Sequence, residues 1–383
     1  MKILLVGEYS RLHNSLKEGL LKLGHEVILL GANDGFKDYP VDLSIKKKYD
    51  KGFLKKFKNL LYLLFKFDLE SQQIKRQILG LKPKISNYDI VQFINEASFG
   101  CTAKIEKEIF DCISSWNNNT YLLSCGSDYI SINYAYQKKF RYSILTPYFK
   151  GHKTQLESSY GLKFLKPEFK SLHEFIFSKI NGVIASDMDY HIPLKGHPKY
   201  LGLVPNPINT DQLIHQPLET NEKIIIFHGI NETNYYKKGN DIFERALIAI
   251  QKKFSDNVEI ITTRSIPYNI YIKAYDKAHI VLDMVYAYDQ GYNALEAMSK
   301  GKVVFTGAEK EWRSFYGIEE NTIAINALPD VDDIIQKLEW LIENPQKLKE
   351  ISNNARKFIE SHHNYIDSAK QYVDLWQNNS RKD

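Results

Sequence analysis

The stretch MKILLVGEYSRLHNSLKEGLLKLGHEVILLG, Met1 to Gly31, sets the fold class of this chain. A short apolar run is followed by a polar turn, an amphipathic segment with Leu16, Leu20, Leu21 and Leu23 on its apolar side, a stop at Gly24, and a second apolar run from Val27 to Leu30. Continuous apolar runs fit strands buried on both faces, and an intervening helical period makes the unit β-α-β with parallel strands. Further runs of the same kind follow at Ile90 (IVQFI), Thr120 (TYLLS) and Gly182 (GVIAS).

Downstream, KYLGLVPNPINTDQLIHQP, Lys199 to Pro217, is rich in proline turns and reads as a junction. A second series begins with KIIIFHG at Lys223, continues through a helix from Asp241 to Lys253, and adds VEIITT, AHIVLDM and KVVFTG as strands. The last part is helical and interrupted at Pro345. The expectation is an α/β protein of two doubly wound Rossmann-like domains facing across a cleft. Residues 1–203 form the first domain, 204–360 the second, and 361–383 a helix returning to the first. At 383 residues the chain has room for two such cores.

Composition narrows the function classes. With 43% hydrophobic and 25% charged residues, nothing argues for disorder, and no apolar run approaches the length of a membrane span. The N-terminus reads as a buried strand rather than a signal peptide, which places the protein in the cytoplasm. Three cysteines, Cys101, Cys112 and Cys125, have neither a disulfide pattern nor a metal-ligand spacing. The net charge of +5 is uneven, because KKKYDKGFLKKFKNLLYLLFK (residues 46–66) holds eight lysines and one Asp among Phe, Leu and Tyr. Two readings fit that segment: contact with an anionic membrane surface, which would make the protein peripheral on the inner face of the plasma membrane, or a solvated helix packed on the core. No nucleic-acid partner is expected.

Candidate chemistry lies in loops that follow strands. In HGINETNYYKKGNDIFERA, Gly229 permits close backbone approach, and Lys237 or Lys238 suits a phosphate where the next helix begins, with Asn240 or Asp241 as its cap. In YDQGYNALEAMSKGKVVFTG, Gly291 precedes a helix whose first amides, at Tyr292, Asn293 and Ala294, form an anion site; Glu296 projects to one side, where a ribose fits. In LLSCGSDYI, Asp128 is either a cleft carboxylate or the cap of the next helix. Asp187 and Asp189, like Asp330 and Asp332, have an Asp-x-Asp spacing, but both pairs sit where helix caps are common, so no metal is expected. His362 and His363 read as exposed helix. A Ser nucleophile elbow, a Walker loop and G-x-G-x-x-G are all missing.

Taken in order, GHEV, YDIVQFIN, CGSD, VPNPIN, KKG, GYNALEAMSKGKVV and ENPQKLKEISNNARKFIE resemble the GT-B glycosyltransferases, in particular retaining family four. The resemblance implies transfer of a hexose-type sugar from a UDP- or GDP-linked donor to a saccharide or lipid-linked acceptor in bacterial surface polysaccharide synthesis, without a cofactor. It also implies roles. Glu296 would bind the donor ribose, and Gly291, Tyr292, Asn293 and Ala294 the diphosphate, while Gly229, Lys237, Lys238, Arg264 and Gln290 complete the donor side. Lys238, Asp128 and Asp289 would be catalytic, and Gly7, Glu8, Ser10, His13, Gly126 and Ser127 would face the acceptor. Three positions depart from the family: Tyr288 stands where a second Glu is usual, with Asp289 and Gln290 as replacements; Thr233 stands in place of an Arg, with Arg264 as a substitute; and Cys125 stands in place of a His. An epimerase of the same fold and a noncatalytic nucleotide-sugar binding protein are the alternatives.

Overall fold

The computed structural model describes residues 1–32, 39–49, 51–65, 67–152, 161–219 and 223–380; Asp50 and Lys66 of the lysine-rich segment lie outside them. The first half carries strands β1 (Lys2–Val6), β2 (Glu26–Gly31), β3 (Leu43–Ser44), β4 (Ile90–Phe93), β5 (Asn119–Ser124), β6 (Gly182–Ala185) and β7 (Tyr200–Leu203). Its helices are α1 (Leu12–Lys22), α2 (Gly52–Phe65), α3 (Leu69–Gly80), α4 (Ala103–Ser115), α5 (Tyr129–Tyr136), α6 (Thr146–Phe149), α7 (Pro167–Lys179) and α8 (Met188–Leu194). In the second half, β8 (Ile224–Ile230), β9 (Val258–Arg264), β10 (Ile280–Leu282), β11 (Val303–Thr306) and β12 (Ile325–Asn326) alternate with α9 (Tyr235–Lys238), α10 (Asn240–Lys253), α11 (Tyr268–Lys277), α12 (Tyr292–Ser299) and α13 (Lys310–Tyr316). Helices α14 (Val331–Glu343), α15 (Pro345–His362) and α16 (Tyr365–Asn379) follow.

The first sheet runs β3-β2-β1-β4-β5-β6-β7 and the second β12-β11-β10-β8-β9, with the paired strands parallel. Helices cover both faces, which is why Ile3, Leu4, Leu5 and Val6 are all buried. Two details differ from the sequence reading. Leu21 and Leu23 are exposed, and the buried stripe of α1 is Leu12, Leu16, Gly19 and Leu20. Tyr200–Leu203, read as part of the junction, is the edge strand β7. Helix α1 does stop at Gly24, whose left-handed φ of 81° lets its own amide reach Leu21 O at 3.0 Å and that of His25 reach Leu20 O at 3.1 Å.

Three sets of contacts hold the halves together. The last helix, α16, crosses back onto α1 at Gly19, where a Cβ would run into the Tyr365 carbonyl and come within 2.8 Å of Ala369 Cβ. Its Trp376 is fully buried and donates through Nε1 to Gln92 Oε1 at 3.2 Å. Beside it, Ile208 N donates to His363 O (2.7 Å) and Tyr365 N to Ile208 O (3.2 Å), while His363 Nδ1 donates to Asn206 O (2.9 Å). The expectation of an exposed His363 is therefore wrong: only His362 is exposed, and burial pushes His363 down to about 4, so it is neutral.

The third set spans the cleft. Asp189, in α8, accepts from Tyr288 N (3.0 Å), and Asp289 accepts from Met188 N (3.0 Å), so each half offers a carboxylate to an amide of the other. Arg141 N donates to the Tyr288 hydroxyl (2.8 Å), and its guanidinium lies 4.8 Å from the Tyr288 ring centroid and 2.6 Å from both Glu309 and Glu311. Tyr142 also donates to Glu309. Burial pushes Asp189 and Asp289 up to about 7 and Asp187 well above its ordinary value, with the neighbouring carboxylates adding to the shift in Asp187 and Asp189.

Replacing Gly19 with Leu should destabilise the protein by about 1–3 kcal/mol through overpacking against α16, read as a lower urea midpoint. The clasp carboxylates also predict a pH dependence. Their folded values of about 7 exceed an unfolded value of about 3.9, so the folded state retains protons that the unfolded chain has released, and stability falls as pH rises from about 4 to 7. The doubly substituted Asp189→Asn, Asp289→Asn protein should show a flatter melting temperature against pH over that window; an unchanged slope would refute the assignment.

Candidate active site

The carboxyl ends of β1, β5 and β6 meet those of β8 and β10 around a cavity of about 370 Å³. From the first half, Ser10, Gly126, Ser127, Asp187, Asp189 and Tyr190 line it, together with α5 and the segment around Phe140 and Ser143. From the second half come Asn234, Lys237, Lys238, Met284, Tyr286, Ala287, Asp289, Gln290 and Gly291. Parallel sheets place their ligand crevices in this position, because the loops after the strands are free to diverge there.

The lysines reach the cavity through a corner built for them. His228, buried at the end of β8, donates through Nε2 to Asn240 Oδ1 (2.9 Å), and Asn240 Nδ2 donates to Tyr235 O (3.0 Å). Gly239 between α9 and α10 has φ 76°, and a Cβ there would lie 2.6 Å from Val285 Cβ. It precedes α10 as its N-cap, so Asn240 and Asp241 are not the cap expected; Asn240 is a buried strut instead. Lys238 Nζ lies 3.0 Å from Asp283 Oδ1, which also accepts from Asn293 Nδ2 at 3.1 Å. Burial and the adjacent Lys238 ammonium push Lys237 down to about 8, a shift that a bound anion would oppose.

Facing the lysines, the loop after β10 ends in Gly291, the extended N-cap of α12. Gln290 donates from Nε2 to Gly307 O (2.6 Å), and its amide donates to Asp289 Oδ1 (2.7 Å), which fixes the backbone where the helix begins. The first amides of α12 have no partner within the helix, as at any helix start. Tyr292 is buried and donates to Pro207 O (2.6 Å), and Asn293 Oδ1 accepts from Tyr271 (3.0 Å). Glu296 is half-buried on the flank of α12, beside Tyr39 and the Tyr268, Tyr271 and Tyr275 wall; burial first, then its charge, raises the Tyr275 hydroxyl.

Of the residues singled out from the sequence, Ser10, Gly126, Ser127, Asp187, Asp189, Lys237, Lys238, Asp289, Gln290 and Gly291 line the cavity. The others stand behind or beside it. Asp128 is a buried cap: its Oδ1 accepts from Ser131 N (2.7 Å), its amide donates to Ser131 Oγ (3.2 Å), and Ser124 Oγ donates to Oδ2. Its carboxylate therefore holds the Gly126–Ser127 turn rather than facing the cavity. Gly229 lies outside the lining because Tyr271 covers it; a Cβ would sit 2.5 Å from the ring. Arg264 is not the expected substitute for a donor-side Arg, since it is exposed at the end of β9 and paired with Glu232 (2.8 Å) and Glu244. Tyr292, Asn293, Ala294 and Glu296 lie along α12, beyond the lining, with Ala294 fully buried.

On the other wall, Gly7, Glu8 and His13 support Ser10 from behind. Gly7 has φ 88° and abuts Ile94, Glu8 accepts from Asn14 N and Nδ2 (both 2.8 Å), and His13 Nδ1 donates to Gly7 O (2.7 Å). Burial pushes His13 down to about 4. Asp187 and Asp330 both cap helices, and among the described residues no group of three or more His, Cys, Asp or Glu side chains could hold a metal ion. The sequence reading missed Asp283 as the partner of Lys238, although a carboxylate directly after the IVL strand is a signal of the same kind as Asp128. It also missed Tyr288 as a residue that joins the two halves.

Residues 225–374 match the family model described as glycosyl transferase-like. No curated protein matches the sequence. Among solved structures, sucrose-phosphate synthase from Thermosynechococcus elongatus aligns with a TM-score of 0.62 at 13% identity, over 99% of this chain and 98% of that one. S. aureus TarM, in a complex with fondaparinux, alpha-GlcNAc-glycerol and UDP, aligns with a TM-score of 0.60 at 12% identity, over 98% and 99%. Anabaena HepE, in complex with UDP and glucose, gives 0.57 at 12% identity, over 99% and 100%. The chain thus shares the fold of these glycosyltransferase structures over nearly its whole length, and its residues 225–374 match a glycosyl transferase-like domain.

Proposed function

We propose that the chain transfers a hexose-type sugar, with retention of configuration, from a UDP- or GDP-linked donor to a saccharide or glycolipid acceptor of the bacterial surface. The observation that carries this reading is the apposition of Lys237 and Lys238 with the start of α12 across one cavity at the carboxyl ends of both sheets. Two ammonium groups and a row of helix amides suit a diphosphate. Glu296, one turn along the same helix and beside Tyr39, would bind the two ribose hydroxyls, with the Tyr39 and Tyr268 side of the cleft left for the base.

In this reading the donor's glycosidic C–O bond breaks toward the diphosphate, and the charge gathering on the leaving oxygen meets Lys238, which Asp283 holds in place. The acceptor hydroxyl comes from the wall formed by Ser10, Gly126 and Ser127, and the Asp128 cap fixes the turn that presents them. Asp289, on the cavity floor and raised to about 7, contacts the transferred sugar. The nature of the acceptor and the retaining outcome rest on the family resemblance.

Incubation with a panel of nucleotide sugars, with and without saccharide and glycolipid acceptors, tests the proposal. Acceptor-dependent release of nucleotide diphosphate is expected; a new sugar nucleotide without release would mean isomerisation, and binding with neither would mean a noncatalytic protein. Lys238→Ala should lower turnover by about 10²–10³-fold, as loss of a group that meets developing charge does. Glu296→Gln should weaken donor binding about tenfold in a calorimetric titration while leaving the circular dichroism spectrum unchanged.

A further inference from the structure

Helix α2 stands apart from the rest of the molecule, because none of its residues is buried. Phe53 is 80% exposed and Leu63 and Phe65 are each 70% exposed. Phe53, Phe57, Leu60 and Leu64 recur at helical spacing on one side, flanked by Leu54, Leu61 and Phe65, whereas Lys55 and Asn59 occupy the opposite side, with Lys56 and Leu63 at its edge. Lys58, at the boundary, is tied to Glu70 at 2.6 Å. The approach to the helix adds Lys46, Lys47, Lys48 and Lys51, all exposed. So large an apolar face on a chain with two complete cores marks an interaction surface.

We propose that α2 is an interfacial helix that seats the first half of the protein on an anionic lipid bilayer. Fourteen residues of helix are far too short to span the hydrocarbon, and among the described residues no helix is long and apolar enough to cross a membrane. Lying in the plane of the surface, the Phe and Leu side enters the acyl boundary while the lysines meet lipid phosphates. Charge decides against a second copy as the occupant. A symmetric pairing through α2 would bring the same lysine-rich approaches together, and their repulsion would oppose the apolar gain. The inference rests on the surface alone and stands whether or not the sugar-transfer reading holds.

The test is co-sedimentation of the full chain with vesicles of phosphatidylglycerol and phosphatidylcholine, and with phosphatidylcholine alone. Binding is expected to the anionic vesicles at low salt, to fall at high salt, and to be weak on phosphatidylcholine. The triple variant Phe53→Ser, Leu64→Ser, Phe65→Ser should bind the anionic vesicles at least about tenfold more weakly, because apolar burial and charge act together at the interface. It should keep the wild-type melting curve, since these side chains are exposed. Absence of binding at low salt, equal binding to both kinds of vesicle, or undiminished binding by the triple variant would overturn the proposal. So would a concentration-dependent dimer in sedimentation equilibrium that the variant abolishes.

Discussion

The exchange of carboxylates for amides across the cleft, Asp189 with Tyr288 N and Asp289 with Met188 N, is the constraint on which the site depends. Each bond joins the start of a helix in one half to the loop after β10 in the other. That loop also supplies the floor of the cavity and leads into α12, so the start of α12 is held against the first half. Burying these carboxylates is costly, and their raised proton affinity is the sign of that cost. A residue placed for this purpose is shielded from water and close to the substrate space at once.

Tyr288 serves the same constraint at a position the sequence resemblance singles out. Where a second Glu is usual, this chain has a buried aromatic ring, stacked under Arg141 and bonded through its hydroxyl and its amide to the first half. The carboxylates near it have been drawn into structural work: Glu309 and Glu311 bind Arg141, and Asp289 binds two amides. Gln290, beside them on the cavity wall, is itself anchored on Gly307.

Much of this was legible in the sequence because parallel strands announce themselves as apolar runs and helix ends as Gly, Pro and Asp. Gly24 and Pro345 stop or start elements where expected, and KKG and GYNALEAMS bring Lys238 and Gly291 to one cavity. What pattern could not resolve was direction. Asp128 has two chemically sound fates, and only the placement of Ser124 and Ser131 decides that it faces inward. Arg264 and Gly229 follow strands as ligand residues do, yet Glu244 and Tyr271, distant in sequence, occupy the space each would have used. His363 failed for a related reason: its neighbours His362 and Asn364 are polar, and the carbonyl that buries it, at Asn206, lies on the other crossing between the halves.

That crossing has a mechanical consequence. The backbone passes between the halves after β7 and again between α15 and α16, and at Ile208, His363 and Tyr365 the two passages are hydrogen-bonded side by side. Two strands fastened together bend as a ribbon, easily about one axis and stiffly about the others. Tyr292, whose hydroxyl is fixed to Pro207 in that ribbon, sits at the first turn of α12. Because the start of α12 is tied to that ribbon and, through the loop before it, to α8, a swing of one half against the other would carry this helix end with it.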